Sequence, residues 1–392
     1  MHRKFVTAIG VGAGALLALT ACSSSSSTTT APASSAPAAT SAAATASASA
    51  AASTGGASSI VGSSSFNDTA LEALTTKIQG AIGSKSLSGV KIAFVTNGNS
   101  AYWNEAKAGW NAAMKWLSAK GASGTFQEPT ASEASVQVSL LETDSAQGYT
   151  GWGVSAVTAS SLTTPIAAAV AKGLSVVAYD SPLPGTAAQL YIGTPNTTAG
   201  CDAGKAMTQA IGSGEVVAIS GSWTAANTQQ RVAGFEQCAG SGIKVVQKLN
   251  DNQDVATAVS DLQASLQANS SIKGIYAVYS YDGGAAGQAV TSANDVGKVT
   301  IVSDDGEQNT INDVKSGVIA ASILQRPYYQ GFMTAYVLAA DKALGDSATL
   351  ALVKPYFVPG PGNTLSTGVG IMTKANESDF ASFWSSIGIS AQ

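Results

Sequence analysis

Histidine is almost missing from this chain: among 392 residues there is one, His2. A Ser-His-Asp or Cys-His catalytic arrangement is thereby absent, and the body of the chain has no imidazole to serve as base, proton shuttle or metal ligand. Charge is scarce as well. Only 11% of residues are Asp, Glu, Lys or Arg, and the formal net charge is -4. Clustered Lys and Arg of the kind a nucleic-acid footprint needs are not found, so no nucleic-acid partner is expected. The three cysteines do not fall at metal-site spacings. The phosphate-cradling GxxxxGK[ST] and the calcium loop DxDxDG are also missing, and no metal or other cofactor is expected. Beyond roughly the first two dozen residues, no run is long and apolar enough to span a bilayer.

The N-terminus reads as a targeting segment. His2, Arg3 and Lys4 form a positive stretch, and residues 5–19 are apolar. The segment ends in Leu19-Thr20-Ala21-Cys22, which resembles the lipobox of bacterial lipoproteins. That resemblance implies removal of residues 1–21, acylation of Cys22, and a membrane partner through this anchor on the extracytoplasmic face of the cell membrane. Residues 22–59 are nearly all Ser, Ala, Thr and Gly. They cannot bury enough apolar surface to offset the entropy of ordering, and read as a disordered tether. Two cysteines remain, Cys201 and Cys238, in an exported protein where disulfides persist. They flank one predicted strand, each on an adjoining helix, so a bridge is feasible; two buried thiols are the alternative.

The folded part is organised around residues 91–103, KIAFVTNGNSAYW. An apolar run reads as a buried strand, a polar turn follows, and a helix then begins that carries Tyr102 and Trp103 in its first turn. In an α/β sheet the loop after a strand faces the crevice where ligands sit. Residues 66–83 read as a short leader helix, within a leader spanning 60–87. Strands and helices then alternate to about residue 192, where Gly193-Thr194-Pro195-Asn196 looks like a crossing point, and alternate again to residue 324. This double series predicts two parallel α/β sheets, hence two Rossmann-like lobes. A long helix at 328–343 returns to the first lobe. The expected division is 88–194 plus 326–350 for the first lobe and 195–325 plus 351–392 for the second. Residues 350–358 are expected to be extended.

Three predicted strands finish in carboxylates: Asp180, Asp282 and the Asp304–Asp305 pair. Arg231 lies at the start of a helix after another strand, and Gln325 follows a strand-like run. By the crevice rule these groups converge on one cleft. A carboxylate accepts from two adjacent hydroxyls, Arg donates in a planar fork, and an amide does both. Aromatic rings cover the apolar faces of a sugar ring. Together they predict a sugar site. Paired carboxylates working as a glycosidase are the less favoured catalytic alternative.

From about residue 90 to 343 the chain resembles the type I periplasmic sugar-binding proteins, the ribose-binding-like group that serves ABC importers. The family's polar turn and adjacent aromatics, which sandwich the sugar, match Asn99 and Ser100 with Tyr102 and Trp103. Its strand-end Asp matches Asp180, with Ser181 in place of the usual basic neighbour. Its R-x-x-G-F motif matches Arg231-Val232-Ala233-Gly234-Phe235, and its Asn-Asp aligns with Tyr281-Asp282. Asp305-Gly306 matches the late Asp-Gly, and Gln325 the hinge Gln. The second-lobe aromatic is not at its usual place near residues 252–254, and Trp223 on a neighbouring loop is the candidate replacement. The resemblance implies two lobes joined by a three-segment hinge, a monosaccharide or polyol ligand bound without chemical change, an ABC permease as partner, and a monomer. A receptor presenting an autoinducer-like signal molecule to a sensor is the alternative function.

Overall fold

The computed structural model describes residues 60–358 and 362–390. The targeting segment, Cys22 and the tether lie outside these residues. A two-residue strand, β1 (Ser63–Ser64), comes first, followed by α1 (Asp68–Ile82). In α1, Leu71, Leu74, Ile78 and Ile82 repeat at helical spacing and are buried. The first lobe continues through β2 (Lys91–Val95), α2 (Trp103–Ser118), β3 (Ser123–Gln127), α3 (Ala134–Ala146), β4 (Gly151–Val154), α4 (Thr163–Ala171), β5 (Ser175–Tyr179) and β6 (Tyr191–Gly193). The second series comprises α5 (Asn196–Ile211), β7 (Gly214–Ser220), α6 (Ala226–Cys238), β8 (Ile243–Asn250), α7 (Val255–Ala268), β9 (Ile272–Ala277), α8 (Asp282–Ser292), β10 (Thr300–Asp304), α9 (Gln308–Ser316) and β11 (Ile319–Leu324). The tail holds α10 (Pro327–Leu344), α11 (Asp346–Val353), β12 (Thr364–Ser366), β13 (Gly370–Met372) and α12 (Glu377–Ser386).

Two sheets result, in the orders β12-β6-β5-β4-β2-β3 and β1-β13-β11-β10-β9-β7-β8. The first is parallel throughout. The second is parallel from β8 to β11 and closes with antiparallel β13 and β1. Near-continuous burial of strands such as β5 and β7 follows from helices covering both faces. As expected, α10 returns to the first lobe, where it packs on α2 and α1.

Three details depart from the expected division. The leader is not a separate element: β1 pairs with the second sheet, while α1 buries its apolar face in the core of the first lobe. The chain therefore crosses between the sheets four times: at 65–67, 194–195, 325–326 and 367–369. Next, β12 lies inside the stretch assigned to the second lobe but pairs in parallel with β6 of the first sheet. Finally, residues 350–356 are helical, because Thr349 and Val353 of α11 turn inward and Val353 joins the first core. At the hinge the guanidinium of Arg326 pairs with Asp68 at 2.6 Å. It also lies 4.2 Å from the ring centre of Phe66 and 3.3 Å from that of Phe383.

Cys201 on α5 and Cys238 on α6 form a disulfide with a sequence separation of 37. A loop of that length stabilises by about 3–4 kcal/mol in the chain-entropy model. Mild reduction under native conditions should therefore lower the melting temperature by several degrees. An unchanged transition with both thiols alkylated would show that the bridge contributes nothing.

Candidate functional site

The loops at the carboxyl ends of the two parallel sheets face each other and enclose a cavity of about 40 Å³. That is a few times the roughly 10–15 Å³ that one water needs, so the space suits a small guest. The lobes also meet at its mouth. Ser132 Oγ of the first lobe donates to Gln253 Oε1 of the second at 2.6 Å, and the hydroxyls of Thr158 and Thr224 lie 3.1 Å apart.

The first lobe contributes Asn97, Ser100, Tyr102, Trp103 and Asp180 to the wall. Asp180 follows β5 and has φ 53, a left-handed conformation in which Asp is more frequent than most residues. The Tyr191 hydroxyl holds this turn by donating to the Asp180 carbonyl at 2.7 Å. Its carboxylate accepts from Tyr102 Oη at 3.0 Å and from Ser155 Oγ at 2.7 Å. Trp103 packs edge-on to Tyr179 and Tyr102, and the rings of Tyr102 and Trp103 stand at 86°. Two perpendicular rings cannot both lie flat on one guest. The sandwich expected of this pair is therefore not formed by these ring orientations.

The second lobe repeats the device. Asp305 follows β10 with φ 65, and its two oxygens accept from Gln325 Nε2 at 3.1 and 3.3 Å. Gln325 Oε1 accepts from Thr194 Oγ1 at 2.8 Å, so the amide joins two crossings of the hinge to the site. Arg231 is the sixth residue of α6 and is buried. Its Nε donates to Asn196 Oδ1 at 3.0 Å and its Nη1 to Asp304 Oδ2 at 3.1 Å. Asn196 Nδ2 in turn donates to Tyr191 Oη at 3.1 Å. Only Nη2 of Arg231 has no partner, and the residue lines the cavity. Burial pulls the guanidinium pKa down, but Asp304, Asp305, Tyr276 and Asp180 outweigh it and keep the group protonated. Burial pushes both cavity carboxyls, Asp180 and Asp305, above the usual range, against the pull of Arg231.

Of the other residues expected at the site, Tyr281 and Gln325 line the cavity, and four do not. Asn99 is exposed at the mouth, in an open depression shared with Ser132 and Glu307. Ser181 is fully buried and off the wall. Asp282 turns back to its own loop, where Oδ2 accepts from the Tyr279 amide at 2.9 Å. Trp223 donates from Nε1 to the Leu249 carbonyl at 2.8 Å and stays on the flank of its lobe. Asn97, Asn227, Gln253 and Tyr279 line the cavity without having been expected there. Asn97 and Tyr279 sit in the same strand-end turns that delivered their neighbours, and that position was the available signal. Among the described residues no group of three or more His, Cys, Asp or Glu side chains could hold a metal ion.

Comparison with known proteins places this geometry. Residues 90–344 match the model of the periplasmic binding protein domain. The chain is 27% identical over 213 residues to the D-allose-binding periplasmic protein of Escherichia coli (strain K12), covering 52% of this chain and 68% of that one. It is 24% identical over 197 residues to the ribose import binding protein RbsB of Bacillus subtilis (strain 168), covering 50% and 64%. Among solved structures, an ABC transporter solute binding protein from Burkholderia graminis C4D1M, in complex with D-arabinose, superposes with TM-score 0.66 at 26% identity, covering 74% of this chain and 98% of that one. With that family model spanning well over half of its length, this chain belongs to the periplasmic binding protein domain family.

Proposed function

We propose that this protein captures a monosaccharide or related polyol between its lobes and delivers it unchanged to an ABC importer. One observation carries the reading. A carboxylate in a left-handed strand-end turn stands in each lobe, Asp180 and Asp305, and Arg231 presents an unpartnered Nη2 at the same cavity. Two acceptors and one donor fixed in this way match the alternating donors and acceptors of a ring of hydroxyls. The guest touches both lobes and so selects the closed state through its differential affinity for it. With three acidic groups around one guanidinium, anionic sugars are disfavoured by charge. The allose and ribose named for the curated relatives, and the D-arabinose held by the solved one, support a small neutral sugar. In this reading Asn97, Ser100, Tyr102, Trp103, Asp180, Arg231, Tyr279, Tyr281, Asp305 and Gln325 are the contacts. The protein acts as a monomer, anchored through acylated Cys22 at the extracytoplasmic face of the membrane.

A thermal-shift screen over pentoses, hexoses, inositols and the matching uronates tests this. At least one neutral sugar or polyol should raise the melting temperature by several degrees while uronates leave it unchanged. A panel with no neutral hit would overturn the reading, and release of product from glycosides would replace it with catalysis.

A further inference from the structure

We propose that Asp251 and Asp282 share one proton, and that this proton positions Tyr281 in the cavity wall and Gln253 in the contact between the lobes. Both carboxyls are fully buried. Asp251 Oδ1 accepts from Tyr281 Oη and from the Gln253 amide, each at 2.8 Å, while its Oδ2 has no partner. Asp282 Oδ2 accepts from the Tyr279 amide, and its Oδ1 likewise has none. The two side chains stand within hydrogen-bonding reach of each other. Each carboxyl keeps one orphaned, buried oxygen, and the two groups repel when both are ionised. One proton turns the contact into an O–H···O bond.

Among the described residues none is shown to supply the positive charge that would do the same. The titratable neighbours are Glu307, which faces Asp282 and accepts from Ser280 Oγ at 2.7 Å, and the phenols of Tyr279 and Tyr281. Neither Asp251 nor Asp282 takes part in any ion pair among the described residues. Burial raises both carboxyl pKa values, and for Asp282 the charge of Asp251 adds to the rise.

Asp251 governs a strained loop. Asn252 (φ 55) and Gln253 (φ 63) are consecutive left-handed residues, neither of them glycine. Gln253 reaches across to Ser132 of the first lobe. Loss of the proton drives Asp251 from Asp282 and loosens its grip on Tyr281 and Gln253 together, so the wall and the contact across the mouth soften in one step. The sign follows from the raised carboxyls. Their contribution is complete at pH values below the ordinary carboxylate range and is lost as pH rises through the folded-state pKa.

This inference does not rest on the sugar reading, and its test needs no ligand. Melting temperatures of the ligand-free full chain are measured from pH 5 to pH 9 for the wild type, Asp282→Asn and Asp251→Asn. Either amide places an N–H where the shared proton stood. The advantage of either variant over the wild type should be smallest at pH 5 and grow with pH, reaching about 3 °C or more at pH 9. An infrared difference spectrum at pH 7 should show a protonated carboxyl band in the wild type that Asp282→Asn lacks. Parallel pH profiles for both variants, or no such band, would overturn the proposal.

Discussion

Replacing Arg231 with alanine should abolish tight ligand binding and destabilise the second lobe at the same time. The side chain is fully buried, and two of its three nitrogens are spent on Asn196, the Val278 carbonyl and Asp304. Its removal leaves Asp304 as a buried carboxylate that still accepts from the Tyr276 hydroxyl, at 3.3 Å. Breaking a buried pair from one side costs about 3–5 kcal/mol. The lost donor at Nη2 leaves a ligand acceptor unpaired, weakening affinity by about 2–4 kcal/mol. Arg231→Lys separates the two effects. An ammonium still sits opposite Asp304 but cannot reproduce the three-way fork, so stability should largely return while affinity does not. Calorimetry on both variants checks this, and unchanged affinity in Arg231→Ala would remove the residue from the site.

The second large effect is remote from the cavity. A Cβ placed on Gly200 of α5 would lie 1.8 Å from the Arg231 carbonyl, and one on Gly234 of α6 would lie 2.2 Å from the Thr197 carbonyl. Each helix backbone fills the notch left by the other's glycine, and the disulfide staples the same pair. Gly200→Ala must therefore push α6 outward and carry Arg231 with it. Overpacking of this kind costs roughly 1–3 kcal/mol or more. Here the obstacle is backbone, which cannot rotate aside, so the upper end is expected, with a fall in affinity. Full affinity in a folded Gly200→Ala protein would show that the helix contact does not set the guanidinium's place.

That contact also gives the R-x-x-G-F run a physical reading. Gly234 admits α5, Phe235 stacks on Tyr276 with ring centres 4.6 Å apart, and Arg231, one turn earlier, enters the site. The chemistry was legible because strand ends carry their own punctuation: an apolar run stopping at Asp180 or at Asp304-Asp305 is visible without coordinates. The division of labour within that last pair was not. Asp304 ends β10 and turns inward to Arg231, while the left-handed turn at Asp305 aims the next carboxylate at the cavity. Asp282 shows the opposite failure. It ends an equivalent apolar run, yet begins α8 and satisfies a loop amide instead of facing a guest.

Elements without a strong period were hidden as well. In β3, SGTFQ, Phe126 is the only large apolar residue, and the strand exists because β2 pairs with it and Phe94 stacks on Phe126 at 4.9 Å. Helix α9 has a buried face of only Thr310, Ile311 and Val314. The first crossing, at 65–67, rests on two serines, Ser63 and Ser64, whose pairing with β13 comes from residues some three hundred positions away. Tertiary context, not local propensity, fixes such segments.

A diffraction structure of the protein with the best-binding neutral sugar from the screen bears most directly on the whole account. The expected map places one sugar between Asp180 and Asp305, with Nη2 of Arg231 donating to a ring or hydroxyl oxygen and Trp103 against the guest. A sugar found instead in the separate cavity beside the hinge, against Leu183, Pro184 and Tyr191, with Asp180 and Asp305 untouched, would contradict it.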